Sequence, residues 1–161
     1  MKFAIVKTDL IKPLSHINSV VERKNAIAIL SNLVIEAAGN EINFIATDME
    51  IDIKEKITAN TISDGKLTVP AHTLHDIVRK LPDGSEILMR LDENNLVLEC
   101  GKSQFTLPTL PFDDFPVMTD ILDGKEFSLS SADLKNLIDN TKFAISSEET
   151  RYYLNGIYLH Q

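Results

Sequence analysis

Residues 126–161 read as a second copy of residues 2–37. A shift of 124 positions lays Phe3 on Phe127, Asp9 on Asp133, Leu10 on Leu134 and Leu30 on Leu154 without a gap. The apolar positions keep the same register: Ile5 falls on Leu129, Leu14 on Ile138, Val20 and Val21 on Ala144 and Ile145, Ile29 on Tyr153, Leu33 on Ile157 and Ile35 on Leu159. Four identities carry little by themselves. The shared strand, helix and strand pattern carries more, because copies with the same apolar faces must bury them in the same way. The repeat predicts one complete domain over residues 1–120, then a linker and the unfinished start of a second domain of the same kind over 121–161.

The first domain has a two-fold organisation of its own. Residues 2–7 read as a strand, 8–22 as an amphipathic helix, and 28–37, 41–47 and 50–57 as three strands, with turns at Ala38-Gly39-Asn40 and Asp48-Met49. The series then recurs: a strand at 65–69, a helix at 71–81, and strands at 85–91, 94–100 and 103–107, with turns at Asp92-Glu93 and Gly101-Lys102. An offset of 64 carries Phe3 to Leu67, Ile5 to Val69, Leu10 to Leu74, Leu14 to Val78 and Ile17 to Leu81. Each half is thus βαβββ. Two such halves side by side make antiparallel sheets with both helices on one face, an α+β layer arrangement.

Residues 108–126 break the pattern. Pro108, Pro111 and Pro116 fix the backbone and remove ladder donors, so the segment reads as an extended crossing connection. Leu110, Phe112, Phe115 and Val117 are its apolar anchors, which fits a segment packed on the domain.

With 43% apolar residues among 161, the chain can build a real core. No run nears the roughly 18 apolar residues of a membrane span, and the amino terminus opens into a strand pattern with no leader. A cytoplasmic protein with no membrane association is expected. The single cysteine, Cys100, excludes an internal disulfide and reads as a small buried residue.

Charge is sorted by element. The net −8 argues against nucleic acid, yet it is an average. Residues 1–24 carry Lys2, Lys7, Lys12, Arg23 and Lys24 against Asp9 and Glu22, a balance of +3. Residues 25–64 carry seven acids against Lys54 and Lys56, a balance of −5. The second half repeats the division, with +2 over 65–80 and −4 over 81–101. A helix layer less acidic than the sheets can face phosphate while the sheets repel it. Lysine and arginine at helix ends, as at Arg79 and Lys80, also satisfy the helix dipole.

Enzyme readings are weaker. Asp48, Glu50 and Asp52 alternate on one strand face, as a divalent-metal phosphatase or nuclease requires, but Lys54 continues the row and a solvated face explains it. His72, His75 and Asp76 share a helix side, with no further imidazole or thiolate at ligand spacing. No phosphate-cradling glycine loop is present, so neither metal nor cofactor is expected.

The motifs carry a resemblance. GKSQFTLPTLPFDDFP (101–116) and RYYLNG (151–156), with the opening MKFAIVKTDLIKPLSHI, AILSNL (28–33), ATDMEI (46–51) and VPA (69–71) in order, resemble the bacterial sliding clamps, the DNA polymerase III beta subunit family. The resemblance implies a DNA-clamp fold with three domains per subunit, and a head-to-tail homodimer ring around duplex DNA with helices lining the hole. It implies a non-catalytic processivity factor whose partners are DNA polymerase III subunits, the clamp loader and other proteins carrying a clamp-binding motif. Polar helix positions that would face the hole are Lys12, Ser15, His16 and Ser19, then His72, Asp76, Arg79 and Lys80, then Lys135, Asp139 and Lys142. Lys24 stands at the family's basic loop contact, and His72 and Glu148 at two further DNA-contact positions, the acidic Glu148 being a departure. Arg151, Tyr153 and Leu154 match part of a peptide pocket, and Phe105 and Leu107 match the dimer edge. Tyr153 and Leu154 also fall on Ile29 and Leu30 of the first copy, which reads as core strand. A fragment of this kind would not close a ring, would expose an apolar row at 105 and 107, and would pack 126–161 against another copy.

Overall fold

Along Lys2–Val6 the side chains of Phe3 and Ile5 are buried while Val6 is exposed, the alternation of a strand with one face on a core. The computed structural model describes residues 1–23, 25–116 and 127–160. The chain divides into two units, Met1–Thr119 and Asp120–Gln161.

In the first unit, strand β1 (Lys2–Val6) leads into helix α1 (Lys7–Ile17) and a 3-10 turn at Ala28–Ser31. There follow β2 (Asn32–Ala38), β3 (Glu41–Thr47), β4 (Asp52–Thr58), β5 (Asn60–Ser63) and β6 (Gly65–Pro70). Helix α2 (Ala71–Lys80) precedes β7 (Glu86–Asp92), β8 (Asn95–Cys100), β9 (Ser103–Pro108) and a 3-10 turn at Phe112–Asp114. The two βαβββ halves do not keep their own strands. One sheet runs β5-β1-β7-β8-β9 and the other β4-β3-β2-β6. Each half therefore gives its first strand to the sheet of the other: Phe3 and Ile5 stand opposite Met89 and Ile87, and Leu67 and Val69 opposite Ile35 and Leu33. All pairings are antiparallel.

The core joins both sheets to both helices. Leu10, Leu14 and Ile17 of α1 and Leu74 and Val78 of α2 meet Phe3, Leu33, Ile35, Phe44, Met89 and Leu96 from the strands. A smaller cluster forms on the opposite face of the four-stranded sheet, where Val34 and Ile45 are covered by Ile29, Leu30, Phe112 and Phe115. The proline-rich segment thus packs on the sheet. Its Leu110 N–H donates to Thr68 Oγ1 (3.0 Å), and that hydroxyl donates back to the Leu110 carbonyl (2.8 Å), tying the segment to β6. Val117 lies outside the described residues.

Several elements differ from the sequence expectation. Helix α1 stops at Ile17 instead of 22, and residues 28–31 form a turn instead of a strand. Strand β4 begins at Asp52, because the Asp48 carboxylate accepts the N–H groups of Glu50 (2.9 Å) and Ile51 (2.7 Å) and holds the turn around Met49 at φ 78°. Strand β5 was not expected. It is four residues long and exists by pairing with β1.

In the second unit, α3 (Ser131–Thr141) starts under a side-chain cap, with Ser130 Oγ accepting the Asp133 N–H at 3.1 Å. Two 3-10 turns follow, at Lys142–Ala144 and Glu149–Leu154, and the Ser146 N–H donates to the Leu154 carbonyl (2.9 Å). The strands expected from the repeat do not form among the described residues: 127–130 are irregular and 151–154 lie in the second 3-10 turn. The reason is pairing. In the first copy β1 is held by β5 and β7, and β2 by β3 and β6, and the described part of the second unit has no counterpart of these partners.

Candidate nucleic-acid interface

Helices α1 and α2 lie side by side and are bridged midway along their length. The Ser15 hydroxyl donates to the Ile11 carbonyl (2.8 Å), so its 3.2 Å contact with His75 Nε2 has the imidazole donating to Ser15 Oγ. His75 Nδ1 faces Asp76 Oδ1 at 3.9 Å. Burial pushes the imidazole pKa down, Asp76 opposes the shift, and the charges of Arg79 and Arg23 add to it. Arg23, in the segment after α1, is exposed. It entered the charge count but not the candidate contacts, because helical spacing says nothing of a cation in a loop.

The sequence candidates separate into distinct groups. Lys12 and Lys80 are exposed and have no ion-pair partner among the described residues. Arg79 is exposed and paired with Asp76 one turn earlier at 3.5 Å. His16 is committed to Glu55 of β4, with Nδ1 and Oε1 2.6 Å apart. His72 is a correction: Nε2 lies 2.8 Å from the Val21 carbonyl, and Nδ1 is buried with no partner among the described residues, so neither nitrogen is offered to a phosphate. Lys7 is a second correction. It contributed to the positive balance of residues 1–24, yet it is 7% exposed and its Nζ donates to the Leu81 carbonyl (2.6 Å), Asp83 (2.7 Å) and the Arg79 carbonyl (3.2 Å). Lys24 lies outside the described residues.

On β9, an edge strand, Phe105 and Leu107 point the same way, toward the core. Leu107 is 2% exposed and Phe105 is partly buried, so the expected exposed apolar row is not there. The outward side chains are Gln104, Thr106 and Pro108. The carboxylate row is also reassigned, since Asp48 serves its own turn. Among the described residues no group of three or more His, Cys, Asp or Glu side chains is placed to hold a metal ion, and no helix is long and apolar enough to cross a membrane.

Within the second unit, Asp139 gathers two cations: Lys142 Nζ at 2.7 Å and Lys135 one turn before it. Those hydrogen bonds hold the Asp139 carboxyl below its ordinary value. Arg151 Nε pairs with Glu148 at 3.2 Å, so the acid at the expected contact position neutralises its neighbour. Tyr153 and Leu154 are 71% and 44% exposed, and the core-strand reading of this pair does not hold. The Tyr152 and Tyr153 rings meet edge to face at 5.9 Å.

Residues 1–119 match the family model described as DNA polymerase III beta subunit, N-terminal domain. The chain is 47% identical over 162 residues to the beta sliding clamp of Caulobacter vibrioides, an alignment covering 99% of this chain and 44% of that protein. It resembles the solved structure of Caulobacter crescentus pol III beta with a TM-score of 0.94 at 48% identity, covering 99% of this chain and 43% of that one. A sliding clamp from Bartonella birtlesii bound to griselimycin gives a TM-score of 0.95 at 46% identity, again over 99% and 43%. The chain spans less than half the length of these relatives. The helix pair, the two sheets with exchanged first strands and the ordered motifs agree with this match over the first unit: the chain belongs to the DNA polymerase III beta subunit family.

Proposed function

We propose that this chain supplies the first clamp domain, residues 1–120, and the opening of the next, 121–161, to a sliding clamp. Such a protein encircles duplex DNA as a homodimer and tethers the replicative polymerase without catalysing a reaction itself. Its partners are duplex DNA, the other DNA polymerase III subunits, the clamp loader and proteins with clamp-binding motifs, and its site of action is the cytoplasm. The observation that carries the reading is the helix layer of the first unit, where α1 and α2 lie together with Lys12, Lys80 and Arg79 exposed, and where the segment after α1 carries the exposed Arg23. Contacts of this type neutralise phosphates without reading bases, which permits sliding.

The chain should bind a labelled duplex weakly at low salt, irrespective of base sequence. Affinity should fall steeply as salt is added. The double substitution Lys12→Glu and Lys80→Glu should abolish measurable binding. Tight, salt-independent binding, or binding indifferent to those substitutions, would overturn the reading.

A further inference from the structure

One ring nitrogen of His72 is bonded to a backbone carbonyl and the other is buried. Nε2 sits 2.8 Å from the Val21 carbonyl oxygen, and only a protonated nitrogen can donate to a carbonyl, so the neutral ring carries its hydrogen there. Nδ1 is then an acceptor, and it is buried with no donor among the described residues. Leaving an acceptor dry costs free energy, so what keeps the ring in this pose is the bond made by the other nitrogen. That bond reaches from the first turn of α2 to the segment that follows α1.

Val21 is a fixed point of that segment. Its side chain is 5% exposed in the main core, and the next buried residue among those described is Ile29 at 8%. Between them the sequence places Arg23 and Lys24. Arg23 is exposed, and its charge is felt at His75, one turn along α2 from His72.

We infer that His72 is a positioning residue for DNA binding. Its hydrogen bond to Val21 sets where the segment after α1 leaves the helix layer, and hence where the exposed cation Arg23 meets the phosphate backbone. The imidazole itself makes no phosphate contact. The inference rests on the proposed role of the helix layer as the DNA-facing surface.

The test uses His72→Ala, His72→Gln and His72→Arg in this same chain, with two measurements. One is hydrogen exchange at the amides of residues 18–27 without DNA; the other is binding of a labelled duplex across a salt series. Alanine should raise exchange in that segment and weaken binding roughly fivefold, with the salt slope unchanged. Glutamine, whose amide nitrogen can donate to the same carbonyl, should restore both. Arginine should leave the exchange high. Unaltered exchange in the alanine variant sinks the idea, and so does a salt slope lower by about 0.9 with exchange protection intact, the mark of a lost direct phosphate contact. If the unsubstituted chain binds no duplex at low salt, the DNA reading and the phosphate half of this inference fall together, while the exchange data still decide whether His72 holds the segment.

Discussion

Lys7 Nζ lies 2.6 Å from the carbonyl oxygen of Leu81, a residue 74 positions away. With the Arg79 carbonyl at 3.2 Å it closes the C-terminal end of α2 from the first residue of α1, so a charged side chain supplies a donor that helix ends otherwise lack. Substituting Lys7→Met keeps the apolar stem and removes the donor, leaving two carbonyls without it. Urea unfolding should show a loss of about 2–3 kcal/mol. A loss below about 0.5 kcal/mol, the range of ordinary surface changes, would mean that water replaces the ammonium at no cost.

The repeat allows a paired experiment on equivalent leucines. Leu10 is 0% exposed in the first unit, and its counterpart Leu134 is 41% exposed in the second. Leu10→Ala should cost about 3 kcal/mol through lost burial and the cavity left behind. Leu134→Ala should cost less than about 0.5 kcal/mol in the same chain. Equal costs in chemical denaturation would show that the second unit buries its helix face in solution.

Two groups make stability depend on pH. His75 has its pKa depressed, chiefly by burial, so the unfolded chain takes up the proton first as pH falls. Its stabilising contribution is complete above about 6.5 and is lost as pH falls through the folded value. Asp48 is depressed by the N–H groups of Ile51 and Glu50, and its contribution, complete above about 3.9, is lost further into acid. His75→Gln should flatten the first limb of a stability curve and Asp48→Asn the second. A curve unchanged between about pH 7 and 5 in His75→Gln would show that the imidazole is not the group responsible.

Elements with a strong local period were legible in the sequence. Strand β3 coincides with its expected span, and β8, β9 and α2 fall within a residue or so, because alternation or a helical stripe is written into consecutive positions. What failed was non-local. The exchange of first strands depends on distant partners, 86 residues apart for Phe3 and Met89 and 32 for Ile35 and Leu67. Strand β5 has too few residues to show a period, and the strands of the second copy were inferred from residues whose partners are not among those described. The candidate surface shows the same split. Lys12, Arg79 and Lys80 are exposed as helical spacing suggests, whereas His72 and Lys7 are claimed by carbonyls 51 and 72–74 positions distant.

The exchanged strands also bear on synthesis. Strand β1 is made well before its β7 neighbour at residues 86–92, and until those residues follow, its Phe3 and Ile5 have half a sheet to sit on. Neither half can mature alone, since each holds a strand the other needs. Such distant pairing is slow to form and leaves apolar surface open meanwhile. A cut between Ser63 and Gly65 would leave two pieces that recover their structure only by finding each other.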